Sequence, residues 1–177
     1  MTDTVLTRIN TLDRAGFIVT FGALYEHSPW IAEAAWKKAH PFSSPDHVRE
    51  TMRTVIAEAT ALQKMALIRE HPELARRFGA DPSLTDSSSS EQASAGLDRL
   101  TRDEYTEFRR LNDAYAAKFS IPFIICVRLS DKQHILSEMD RRLNNTEAEE
   151  QAAALAEIDK IADLRFKDVI KKLENGS

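Results

Sequence analysis

Apolar residues along this chain recur every three or four positions far more often than every second one, which predicts helices and few strands. From Val5 to Lys38 the pattern comes in short pieces, predicting several short helices. Ser28-Pro29 reads as an N-cap and first-turn proline for a helix over Trp30 to Lys37. Ser44-Pro45-Asp46 repeats that signal for a helix to about Ala59. Leu62, Met65, Ala66 and Arg69 carry helical spacing up to His71, and Pro72 disfavours helical geometry at the residue before it, so the imidazole stands at a corner. Thr101-Arg102-Asp103-Glu104 is a capping box, and Tyr105, Phe108, Leu111, Tyr115 and Phe119 follow as an apolar stripe with Asn112 beside it, a core face rather than a ligand box. Phe123 to Val127 is a short apolar run, expected to be buried and extended, whose backbone groups need partners. Asp131 to Leu143 and Thr146 to Leu173 form the last two helices. The expected fold class is all-α, one compact multi-helix domain over residues 1–177 without repeat or linker.

Composition changes this picture little. Five glycines in 177 residues, 42% hydrophobic and 29% charged residues, describe an ordinary globular chain long enough for a sizeable core. A net charge of −4 argues against a nucleic-acid surface, which needs a basic patch. The pairs Arg76-Arg77, Arg109-Arg110 and Arg141-Arg142 read as solvated helix faces. The single cysteine, Cys126, permits no intrachain disulfide and no cysteine-based zinc site, which fits a reducing compartment. Met1 opens a polar stretch without an apolar signal core, the C-terminus Glu174-Asn175-Gly176-Ser177 is no peroxisomal address, and no run reaches a membrane-spanning length. The expectation is a cytoplasmic protein without nucleic-acid or membrane partners.

The chemistry-bearing residues cluster in two neighbouring segments. His71 can give and take protons near neutral pH, although a His-Pro at a helix end also serves as a C-cap. Asp81 to Ser90 reads as a polar loop with five serines, either disordered or ordered around a small ligand. The Ser88 to Gln92 segment then opens a helix whose N–H groups point at anionic or carbonyl oxygens. Glu91, alone, complements a helix dipole; with His71 it supplies a carboxylate beside an imidazole. Leu155, Ile158, Ala162, Arg165 and Val169 put an arginine on an apolar face, where either its stem snorkels outward or its head pairs with a carboxylate. Tyr25 to Trp30 suits core or capping roles, His40-Pro41 a turn, and His47 and His134 polar helix positions. No metal, nucleotide or nucleophile-elbow motif occurs, so no metal is expected.

Six segments in order make the chain similar to a known family. They are Phe21-Gly22-Ala23-Leu24-Tyr25-Glu26-His27-Ser28-Pro29-Trp30; His71-Pro72-Glu73-Leu74-Ala75; Glu91-Gln92-Ala93-Ser94-Ala95-Gly96-Leu97; Leu111-Asn112-Asp113-Ala114-Tyr115; Phe119 through Arg128; and Leu164-Arg165. Together they resemble the OHCU decarboxylases, which act on 2-oxo-4-hydroxy-4-carboxy-5-ureidoimidazoline in urate breakdown. The resemblance implies an all-helical, homodimeric, cofactor-free decarboxylase yielding (S)-allantoin. It makes His71 the catalytic acid/base. Pro72, Ser88, Ser89, Ser90, Gln92, Phe123, Ile124, Ile125, Cys126 and Val127 line the substrate, and Arg165 completes the polar pocket. Glu73 stands where Asp is frequent and Arg76 where Gly is common, both beside His71.

The implied chemistry needs no pyridoxal or thiamine, because loss of CO₂ leaves electrons that the substrate's own ring can delocalise. His71 would engage the hydroxyl and deliver a proton to one face. Glu91 would orient His71 or the ureido N–H groups, and Ser88, Gln92 and the backbone of Phe123 to Val127 would fix the substrate. Two other readings remain open from the sequence: a noncatalytic helical module binding a ureide or purine-derived ligand, and a metal-free hydrolase using Ser88 to Ser90.

Overall fold

A computed structural model describes residues 4–176; Met1, Thr2, Asp3 and Ser177, which the sequence reading placed in polar termini, lie outside the described residues. The described chain is all-α, with nine α-helices, two short 3-10 turns and no strand among the described residues. It divides into two compact units, residues 1–67 with 162–177, and residues 68–161.

In the first unit α1 (Val5–Thr11), α2 (Arg14–Phe21) and α3 (Trp30–Ala39) are short, as the broken periodicity predicts, and α4 (Pro45–Ala57) ends two residues before the expected Ala59. Three start on side-chain caps: Thr4 accepts from the Thr7 N–H, Asp13 from Gly16 and Ser44 from His47. The start of α3 differs from expectation. Pro29 itself stands at the cap without a side-chain bond, and the Ser28 hydroxyl instead donates back to the Glu26 carbonyl at 2.8 Å. The local turn uses that hydroxyl, so it no longer reaches the helix. Helix α2 packs on α3, α3 on α4 and α1 on α4. Their shared core is aromatic, with Phe17 against Phe21, Phe42 and Trp36 at ring separations of 4.8, 5.3 and 5.4 Å.

The second unit contains α6 (Asp86–Ser94), α7 (Arg102–Phe119), α8 (Lys132–Arg142) and the first half of α9 (Glu147–Glu174). Helix α5 (Ala61–Arg69) enters it from the first unit. The capping box of α7 forms as predicted, Thr101 accepting from Glu104 N–H and Glu104 from Thr101 N–H. Phe108, Leu111, Tyr115 and Phe119 are buried on its core face. The serine run is not a loop over its whole length: from Asp86 it is helix, started by Thr85, whose hydroxyl accepts from the Ser88 N–H.

Arg142 also departs from the expected solvated helix face. It is buried, not solvated, and its Nε donates to Glu150 Oε1 at 2.8 Å while Nη1 donates to the Ile124 carbonyl at 2.7 Å. Glu150 Oε1 also accepts from the Tyr115 hydroxyl at 2.6 Å, and Oε2 from Asn145 at 2.8 Å. Burial and then the Glu150 hydrogen bond raise the Tyr115 phenol well above its ordinary range. A phenol that ionises later in the folded state contributes stability that is complete below its unfolded value, about pH 10, and lost as pH rises through the folded one. Wild-type thermal midpoints are therefore expected to fall above about pH 10. Tyr115→Phe, lower at neutral pH by about 1.5–3 kcal/mol for a bond to a charged group, should show a shallower alkaline decline. Parallel alkaline declines would refute this.

Candidate functional site

Helix α5 ends at Arg69, two residues short of the predicted stop, and its next residues leave helical geometry before Pro72. His71 is placed at that corner, its N–H donating to the Ile68 carbonyl at 3.2 Å. Its side chain is buried, with 6% of its surface exposed and Nε2 screened from solvent. Pro72 beside it is half-buried.

The chain after His71 is held by side chains. Ala75 adopts a left-handed conformation with φ 49°. Its N–H donates to Gln92 Oε1 at 3.2 Å, and Gln92 Nε2 donates to the Glu73 carbonyl at 3.5 Å. Asn112 Nδ2 donates to the Leu74 carbonyl at 2.8 Å. Arg109 donates to the Glu73 carboxylate from both terminal nitrogens at 3.1 Å, and to the Arg76 carbonyl at 3.3 Å. Helices α6 and α7 thus fix the loop behind the imidazole.

Helix α6 explains how the serine segment is shared out. Ser88 and Gln92, one turn apart, are buried; Glu91 is half-buried; Ser89 and Ser90 are exposed. The expected free N–H groups of Ser88 and Ser89 are taken by the cap, donating to the Thr85 hydroxyl and carbonyl at 3.3 and 2.8 Å. The residues Phe123, Ile124, Ile125, Cys126 and Val127 are all buried, as expected; up to Cys126 they lie outside any helix, whereas Val127 departs from the expected extended run by opening a 3-10 turn. From Val127 to Leu129 a 3-10 turn packs against α6. Some of the segment's backbone is already used: Arg142 holds the Ile124 carbonyl, and the carbonyls of Cys126 and Val127 accept from Leu129 and Ser130.

Burial pushes the Cys126 thiol up, and Glu157 and Glu91 add to the rise. A thiol held neutral at pH 7 is neither a nucleophile nor a metal ligand. Among the described residues no three His, Cys, Asp or Glu side chains are placed to hold a metal ion, and no helix is long and apolar enough to cross a membrane.

Arg165 belongs to the first unit, and there its two readings are resolved. It is buried, with Nη2 donating to Glu26 Oε1 at 2.9 Å and Nη1 to the Ala23 carbonyl at 3.3 Å. The head pairs with a carboxylate and does not snorkel. Nearby, Arg49 Nη1 donates to the Tyr25 hydroxyl at 2.8 Å. Glu26 and Arg49 are thus buried charged residues that the sequence reading did not single out. A carboxylate between Tyr25 and a Ser-Pro turn was a readable signal for Glu26. Nothing local marked Arg49.

A model of the family described as OHCU decarboxylase matches residues 10–167. The chain belongs to the OHCU decarboxylase family. It is 40% identical to 2-oxo-4-hydroxy-4-carboxy-5-ureidoimidazoline decarboxylase of Haloferax volcanii, covering 94% of this chain and 96% of that protein. To the protein of the same description in Xenopus laevis it is 37% identical, covering 93% of each. Among solved structures, one described as (S)-allantoin synthase superposes with a TM-score of 0.74 at 27% identity, over 94% of this chain and 54% of that one. The OHCU decarboxylase match spans both units and includes His71, Glu91, Gln92, Arg165 and Glu26.

Proposed function

We propose that this chain decarboxylates 2-oxo-4-hydroxy-4-carboxy-5-ureidoimidazoline to (S)-allantoin in urate degradation, without a cofactor. The observation that carries the reading is a buried imidazole fixed at a loop corner, in a chain that matches the family from residue 10 to 167. The relatives' names supply the substrate, and the substrate's own structure supplies the route. One ring carbon bears both the hydroxyl and the carboxylate, next to a ring C=N bond. Breaking the carbon–carboxylate bond releases CO₂, and the electron pair is taken up by that C=N. The hydroxyl then loses its proton to become a carbonyl, and a proton enters at the ureido-bearing carbon. One solvent proton balances the CO₂ lost.

His71 is the acid/base, withdrawing the hydroxyl proton and returning one to a single face. Glu91 orients His71 or the ureido N–H groups. Pro72, Ser88, Gln92 and the backbone from Phe123 to Val127 line the substrate, with Phe123 and Ile125 the carbonyls not already held in the hydrogen bonds described above. Ser89 and Ser90, exposed on α6, contribute at the rim. Arg165 serves an anionic or carbonyl oxygen, which its charge and its fixed guanidinium support. A homodimer follows the family pattern, and a buried reduced cysteine fits the cytoplasm.

The test generates the unstable substrate from urate with urate oxidase and hydroxyisourate hydrolase and follows circular dichroism. The expected result is a rapid (S)-allantoin signal on adding the protein. A course identical to the protein-free control would overturn the reading. Ser88→Ala should weaken the signal without abolishing it, since the hydroxyl positions and does not attack; complete loss would favour a serine hydrolase.

A further inference from the structure

We infer that Asn112 is a positioning residue for His71, acting with the Gln92 carboxamide through the backbone of residues 73–75. The inference rests on the acid/base reading of His71 given above. Three residues after Pro72 the backbone passes through Ala75 in the left-handed region, at φ 49°. For a residue with a side chain this conformation costs about 1–2 kcal/mol and persists where the surroundings over-determine it. Here they do. The carboxamide of Gln92 spans the turn, accepting from the Ala75 N–H and donating to the Glu73 carbonyl. The carboxamide of Asn112, 1% exposed on the core face of α7, holds the Leu74 carbonyl between them at 2.8 Å. These bonds address consecutive backbone groups within four residues of the imidazole.

Two features separate this from ordinary packing. Asn112 lies among Phe108, Leu111 and Tyr115, where a leucine would fill the volume without a polar atom to satisfy. Its Oδ1 is itself buried without a hydrogen-bond partner among the described residues, so the carboxamide is retained at a cost for its single donor contact. Gln92 engages the loop with one acceptor and one donor bond, and its carboxamide keeps a second N–H and a second lone pair for the substrate.

Asn112→Leu tests the inference through kcat, KM and the pH profile of (S)-allantoin formation, with melting midpoints measured alongside. Displacing a catalytic group by about 1 Å costs up to about a hundredfold, so kcat per folded molecule should fall about ten- to a hundredfold, with KM within about threefold and a displaced limb in the pH profile. A direct substrate contact by Asn112 would instead raise KM at nearly constant kcat. A purely structural role would lower the melting midpoint and leave kcat and the pH profile unchanged. Either result overturns the inference. Should Asn112→Leu not fold, the smaller Asn112→Ala is measured in its place. Wild-type protein without activity would overturn the decarboxylase reading itself; active wild type with variants of unchanged kcat overturns only the positioning role.

Discussion

His71→Asn is expected to abolish nearly all stereospecific turnover while leaving the fold and product binding in place. General acid/base groups contribute about 10²–10⁴-fold to rate, and asparagine keeps hydrogen-bonding ends while losing a titratable nitrogen near neutral pH. The substitution should be structurally mild. The corner conformation is set by Pro72, and the loop that follows is tied by Gln92, Asn112 and Arg109 from outside the imidazole. Asparagine is also smaller than histidine and enters a 6%-exposed position without overpacking. The measurement is the initial rate of (S)-allantoin dichroism beside calorimetric binding of (S)-allantoin. A variant within threefold of the wild-type rate would remove His71 from the chemistry. A variant that neither turns over nor binds product would make it a binding residue.

The parts of this molecule that were legible in the sequence are those set by local rules. The stripe from Phe108 to Phe119 and the capping box at Thr101 lie within one helix, so spacing alone reveals them. The His71 corner was legible because proline constrains its neighbour. The helix over the serine run was not. Serine and aspartate are weak helix formers, and what starts the helix is one hydroxyl, Thr85, with Ser88 and Gln92 buried one turn apart on its inner face. Charges were misread where their partners are distant in sequence. Arg142 looks solvated beside Arg141, yet Glu150 in the next helix and the Ile124 carbonyl take it into the core. Glu26 and Arg165 stand 139 residues apart, and no periodicity joins them.

That last pair separates stability from function in a way the other residues do not. Arg165 and Glu26 are 6% and 3% exposed, and their contact is a charge-assisted bond of 2.9 Å. Arg165→Met keeps the stem's packing but removes the guanidinium that offsets a buried carboxylate. Breaking one partner of such a pair costs about 3–5 kcal/mol, whereas replacing both with uncharged groups of similar size is often neutral. The single variant is therefore expected to melt well below wild type. The double variant Arg165→Met with Glu26→Gln should recover much of the loss, because no buried charge then needs compensation. Activity should follow a different course. If Arg165 serves a substrate oxygen, the double variant regains stability and stays deficient in (S)-allantoin formation, with the defect in kcat/KM. If the pair only holds the fold, activity returns with the melting temperature. Measuring both quantities on the same two proteins decides between these roles, and a double variant with both restored would remove Arg165 from the proposed site.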